Sequence, residues 1–326
     1  VSSVVLFGLN ASTTKVVIQA GISPEQIVIF RSLATALLAG IVLLLTNRAA
    51  FRVRRDEWPR LIAFGIVGVA LMQWAYSNAV SNLPVGIALL IEYTAIVMVP
   101  IASMFLFREK VRPRLWLGIV LVLGGLAVVS KKWDGGLNTV GVAFAFAAAI
   151  FLTAYFIMGE HTQRSRDTMS TLFYTMAIAT VFWLVASPWW TLEPSLLVEQ
   201  VSLSGNLSQT YLAVWQLLVW VGIFGSFFPM LFSYLALGNL SATAVGIASA
   251  AETVFAFAFG WLWLNEKIEG YFRLCQSRGL TGSQGVVIPA SNQLNLVLND
   301  EVVAAVEAGL FHIYVAKTVD DALELL

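Results

Sequence analysis

Four charged residues sit inside stretches that are otherwise apolar: Lys15, Arg31, Glu92 and Glu252. A charge at the centre of a bilayer costs about 2.5–3.5 kcal/mol on insertion scales, so such a residue faces a cavity or a partner. The two carboxylates have similar settings, "GIALLIE" at 86–92 and "GIASAAE" at 246–252, each four residues after an alanine. At that spacing the alanine and the glutamate share a helix face, and the small side chain lets a neighbour approach the carboxylate. Such a pair can bind a substrate ammonium or a proton. The alternative is structural pairing with Lys15 or Arg31, and Arg31 itself reads as structural. Asn10, Trp74, Tyr76, Asn78, Tyr93, Tyr155 and Tyr234 lie in similar stretches, where amides and aromatics line cavities or bond helix to helix. His161 and His312 fall in different segments and suggest no metal site. With no Gly-rich phosphate loop and no nucleophile–base pair in the apolar stretches, no cofactor is expected.

The elements that must position these groups are membrane helices. Hydrophobic residues make up 59% of the 326 and charged residues 12%, against about 25% charged in soluble domains. A span needs about 20 apolar residues. Nine such runs are predicted, at 1–20, 26–46, 60–80, 84–106, 115–130, 138–159, 169–187, 211–236 and 241–264. The segment 188–210 reads as a longer loop whose Trp189 and Trp190 suit the membrane interface. The opening "VSSVVLFG", apolar and without Met, reads as a start-truncated first span. The basic connections 47–58, 107–114 and 161–167 all follow even-numbered spans, which predicts a cytoplasmic N-terminus. Net charge is zero, with 19 basic and 19 acidic residues, so no nucleic-acid partner is expected. The single cysteine, Cys275, excludes an intrachain disulfide.

The sequence also repeats. Asn82-Leu83 before span four and Glu109-Lys110 after it recur 157 residues later as Asn239-Leu240 and Glu266-Lys267, while the two "GIA" stretches are offset by 160. Copies five spans apart have opposite orientations, and inverted repeats place a substrate site near the midplane, at their interface. The offsets predict that Glu92 and Glu252 occupy matched positions.

The run "NLPVGIALLIEYTAIVMVPIASMFLFREKV" at 82–111 and its second copy ending "ETVFAFAFGWLWLNEKI" at 252–268 resemble the EamA-type branch of the drug/metabolite transporter superfamily. "GIALLIEYT", "FRSLATALLAG" in span two and "ASTTK" in span one look most like its threonine/homoserine exporter group. The resemblance covers about 1–268. It implies an all-α polytopic protein of two inverted five-helix halves, residues 1–137 and 138–268, with the tenth span missing from the second. It implies export of a small amino acid or related metabolite by alternating access, in a bacterial inner membrane, with a small-molecule substrate and the bilayer as partners and a homodimer left open. Carried over, Glu92, Glu252 and Lys15 become cavity residues, with Tyr93, Trp74 and Tyr155 as supporting contacts. Family members often have Pro after the second glutamate; Thr253 stands here, which predicts a helix less readily broken at that point.

After Ile268 the pattern changes to that of a soluble α/β fragment, 269–326, with strands predicted at 285–289 and 311–316 and helices at 300–308 and 318–326. "NEKIEGYFRLCQSRGLTGSQGVVIPASN" at 265–292 resembles the C-terminal end of the Lon-related ATP-dependent protease domain. That resemblance implies Lys267 as the lysine of a Ser–Lys dyad, a base activated by desolvation. The serine is missing: Ser226 lies in an apolar helix, and Ser277, Ser283 and Ser291 follow the lysine. A membrane-tethered protease is therefore the disfavoured alternative, and the expected chain is a non-enzymatic chimera joined at "NEKI".

Overall fold

The computed structural model describes residues 2–107, 138–203, 207, 209–263, 271–272, 275–276, 279–290, 298 and 300–316. Helix α1 is Ser2–Gln19 and α2 is Pro24–Thr46. Span three is a composite of α3 (Trp58–Ala63), a π-helical stretch at Phe64–Leu71 and α4 (Met72–Asn82). Span four is interrupted, α5 (Val85–Glu92) followed by α6 (Ala95–Phe107). Predicted span five, at 115–130, lies outside the described residues. The chain resumes with α7 (Thr139–Gln163) and α8 (Thr168–Ala186). Between α8 and the next span the predicted loop holds a short α9 (Pro194–Val198) and an antiparallel ribbon of β1 (Gln200–Ser202) and β2 (Tyr211–Ala213). Span eight repeats the plan of span three: α10 (Val214–Gly222), a π-helical turn at Ile223–Phe227 and α11 (Phe228–Asn239). Span nine repeats that of span four: α12 (Ala242–Ser249), then α13 (Ala251–Leu262).

Seven helical segments among the described residues are long and apolar enough to cross a membrane, beginning at Pro24, Trp58, Val85, Thr139, Thr168, Val214 and Ala242. Helix α1 fills the first predicted span but is not among them. Its middle, Asn10 to Thr14, is buried and polar apart from Ala11, so it packs inside the bundle against α11 and α13 instead of meeting lipid.

Helix α2 shows how lipid as solvent sets the faces. Ser23 caps it, the Gln26 side chain returns the bond to the Ser23 N–H, and Pro24 stands in the first turn, a favoured start because its missing N–H is not needed there. Leu33, Leu37, Ile41, Leu44 and Leu45 form an exposed stripe, while Gln26, Arg31, Ser32 and Thr35 are buried. Polar groups turn inward because nothing in a hydrocarbon core can satisfy them.

The inverted repeat is visible in local geometry. Leu83 and Leu240, which end spans three and eight, have φ/ψ of −130°/156° and −127°/159°. Half-helices α5 and α12 both run eight residues and start 157 residues apart. Contacts are reciprocal: α5 packs on α13, and α6 on α12. The start of each interrupted span thus meets the end of the other, as antiparallel copies about a two-fold axis must.

Two expectations change here. Span nine is interrupted at Ala250 without a proline; the Thr253 N–H bonds to the Ala250 carbonyl at 3.1 Å, closing a tighter turn. The glutamates also do not occupy matched positions. The 157 offset holds up to the breaks, so Glu92 corresponds to Ser249, before its break, and Glu252 stands after its own. The break in span four takes two residues, Tyr93 and Thr94, and that in span nine takes one.

The C-terminal segment forms a parallel pair, β3 (Gly285–Pro289) and β4 (His312–Ala316), joined through α14 (Asp300–Glu307). Phe272, Cys275, Val302, Ala305 and Phe311 make its small core. The helix predicted at 318–326 and Lys267 lie outside the described residues.

Candidate functional site

Span four brings Glu92 and Tyr93 to its break, and span nine brings Ser249 and Glu252 to the matching break. Around them α1 contributes Phe7 and Asn10, α2 Arg31, α4 Gln73 and Tyr76, α7 Tyr155, and α11 Ser233; together these line one cavity of about 50 Å³. Both halves of the chain therefore contribute to a single site within the bundle. Glu92 is 4% exposed and Glu252 7%. The Tyr93 hydroxyl donates to Glu252 Oε2 at 2.6 Å, tying the two interrupted spans together. The Tyr155 hydroxyl, also in the lining, donates to Ser233 Oγ at 2.8 Å.

Of the six residues expected to bind substrate, Glu92, Glu252, Tyr93 and Tyr155 line this cavity; Lys15 and Trp74 are not in its lining. Lys15 lies five residues beyond Asn10, about 7.5 Å further along α1. The Trp74 indole N–H donates to Glu25 Oε1 at 2.7 Å, and its ring packs between Phe144 and Trp183. Trp74 thus fastens α4 to the start of α2.

Arg31, expected to be structural, is 2% exposed, bonds the Gly225 carbonyl and also lines the cavity. Gln73 was not singled out at all, and an amide in a helix of small and aromatic residues offers no motif to find it by. Among the described residues its amide nitrogen meets only Met176 Sδ, at 3.9 Å.

The π-helical turn in span eight is part of the site's construction. Arg31 Nη2 donates to the Gly225 carbonyl at 3.3 Å, and one residue on, Ser226 Oγ accepts from Thr35 Oγ1 at 3.0 Å. A Cβ at Gly225 would collide with Asn10 Oδ1, so only glycine lets this turn approach α1. Replacing Gly225 by alanine should displace Asn10 and destabilise the bundle by about 1–3 kcal/mol. A lowered midpoint in thermal unfolding of the reconstituted protein checks this, and an unchanged midpoint contradicts it.

At the end of the bundle where spans two and six finish, the basic connections meet. Arg166 pairs with Glu57 at 2.7 Å and donates to the Ala50 carbonyl and to Ser170 Oγ at 3.0 and 2.6 Å. Close by, Glu160 pairs with Arg164 and accepts the Ala242 N–H at 2.6 Å. A carboxylate at that position caps the start of α12.

Comparison with known proteins adds the following. A putative Lon protease homolog of Escherichia coli K12 is 57% identical over 63 residues, 19% of this chain and 11% of that protein. The chain thus spans about a tenth of the length of that relative. The probable 4-amino-4-deoxy-L-arabinose-phosphoundecaprenol flippase subunit ArnE of Shigella flexneri serotype 5b is 34% identical over 70 residues, 22% of this chain and 61% of that one. A known crystal structure at 19% identity covers 85% of this chain and 94% of its own with a TM-score of 0.56, a likeness of fold alone. The sequence pattern of the EamA-like transporter family matches residues 1–131 and 139–282. Most of the chain is accounted for by that pattern, on a bundle whose two halves both line a cavity that holds Glu92 and Glu252: this is a membrane protein of the EamA-like transporter family.

Proposed function

We propose that the chain exports a small amino acid, or a related metabolite bearing an ammonium group, by alternating access at the cavity between the interrupted spans. The observation that carries this reading is the convergence of Glu92 and Glu252 on one cavity from the two halves. Buried carboxylates lining a cavity inside a membrane bundle are a binding site for a cation, and inverted repeats rock about such a site. At about 50 Å³ the cavity holds a few waters, whereas small-ligand sites are of order 300–1,000 Å³. Substrate is therefore taken up in a conformation wider than this one. The shared position of the 47–58 and 161–167 connections supports a cytoplasmic placement of that end and of the N-terminus.

The test is efflux of preloaded labelled L-amino acids, threonine and homoserine first, from proteoliposomes containing the full chain. Efflux above empty vesicles is expected for at least one of them. No efflux across the twenty common amino acids and homoserine would overturn the reading.

The similarity to an ArnE subunit supports a second reading, in which the cargo is an amine-bearing group on a phosphate-linked lipid. A lipid-linked cargo would change leaflet without leaving the vesicle, so leaflet-resolved labelling separates the two readings. We do not assign a hydrolase. Ser226 is buried and hydrogen-bonded to Thr35, and the Lon-like similarity covers only a small part of that relative.

A further inference from the structure

We infer that Arg31, with Tyr76 beside it, forms an anion subsite in the same cavity, one that takes the carboxylate of an amino acid or another small oxyanion. This inference rests on the transport reading above and names the second charge of its substrate. Three observations carry it. The Arg31 guanidinium is buried, yet among the described residues its Nε and Nη1 have no hydrogen-bond partner; its one bond is Nη2 to the Gly225 carbonyl. The Tyr76 hydroxyl and Gln73 Oε1, on α4 and lining the same cavity, also have no hydrogen-bond partner among the described residues. No carboxylate comes within ion-pairing distance of Arg31 among the described residues, although Glu92 and Glu252 line the same cavity.

A buried guanidinium left with open donors is costly unless something else fills them. Its planar fork matches the two oxygens of a carboxylate, and a bidentate pair is the strong form of that contact. Tyr76 adds an O–H donor. The site then has a cationic wall, Arg31 on α2 held by the π-helical turn of span eight, and an anionic wall, Glu92 and Glu252 at the two breaks. Such a cavity is complementary to a zwitterion. A simple amine would leave the guanidinium unmet, and a simple acid would meet Arg31 but leave the carboxylates without a cation. The subsite also explains why an arginine is tolerated at this depth with neither Glu92 nor Glu252 as its salt-bridge partner.

The experiment uses the full chain in nanodiscs, with binding read as a rise in the tryptophan-monitored unfolding midpoint. The probes are acetate, inorganic phosphate, L-threonine and L-threoninamide, which lacks the carboxylate. Acetate or phosphate should stabilise the wild type saturably, with apparent affinity at least about tenfold weaker in Arg31→Gln. The acetate and phosphate arms separate a carboxylate cargo from a phosphorylated one. Should Arg31→Gln fail to fold, Tyr76→Phe removes one donor and is expected to weaken acetate severalfold. The inference is overturned if neither anion stabilises the wild type, or if both responses survive unchanged in Arg31→Gln and Tyr76→Phe. Anion binding that depends on Arg31 without any amino-acid efflux would sink the amino-acid reading and leave the subsite standing. Efflux with no Arg31-dependent anion response would do the reverse.

Discussion

Glu252→Gln should reduce amino-acid efflux by about 10–100-fold while the protein inserts and unfolds much as the wild type does. The fold is expected to survive because glutamine keeps an oxygen to accept the Tyr93 hydroxyl, the bond that joins the two interrupted spans. What is lost is the charge. A hydrogen bond to an ionised group is worth about 1.5–3 kcal/mol, which converts to the stated range. Helix α13 begins one residue before Glu252, so the positive end of its dipole faces this carboxylate, while Glu92 ends α5 and lacks that support. The two glutamine variants should therefore differ, Glu252→Gln losing more than Glu92→Gln. Initial efflux rates from proteoliposomes of matched protein content measure both. Wild-type rates in both variants would mean that the two carboxylates do not carry the substrate.

Arg166→Leu should lower stability by about 3 kcal/mol, the lower end of the range for breaking a buried pair. The arginine side chain is 6% exposed and its partner Glu57 24%, so the abandoned carboxylate keeps some contact with water. The same guanidinium reaches the carbonyls of Ala50 and Arg52, the Ser170 hydroxyl and the face of Tyr174. It thereby holds the connection after span two against the start of α8. Lysine keeps the charge but not the fork and should recover only part of the loss. Chemical unfolding in lipid nanodiscs gives the value. A change under about 0.5 kcal/mol, the size seen at ordinary surface sites, would show that the pair contributes nothing beyond its geometry.

How much of this was legible depends on what lipid hides. Span positions were: apolar run length is a strong signal, and predicted 26–46 and 241–264 became Pro24–Thr46 and Ala242–Leu262. So was the tail, where soluble alternation placed β3 and β4 to within a residue. The repeat offset of 157 reappeared in the paired conformations of Leu83 and Leu240. The lining of the cavity was harder to read, because in α2 both the lipid-facing stripe and most of the buried face are apolar, and only Gln26, Arg31, Ser32 and Thr35 mark the inside. Trp74 and Tyr93 look equally suited to a cavity as letters, yet one bonds Glu25 at a helix start and the other Glu252 at the centre. The relation of the two glutamates failed for a local reason: "GIA" is only a short match, and its offset of 160 is three residues out of register with the 157 that separates the starts of α5 and α12.

The π-helical stretch at Phe64–Leu71 bears on rotational register. A π turn holds one more residue than the α turn it replaces, and one residue corresponds to about 100° around an α-helix. Without it, α4 would continue the same axis turned by roughly that angle, carrying Gln73 and Tyr76 away from the cavity that Arg31 also lines. An all-α version of span three would be just as apolar and long enough to cross the bilayer, but it would present a different set of side chains to the interior. The aim of this helix is set by a surplus residue in a stretch, "FGIVGVAL", that has no polar side chain of its own.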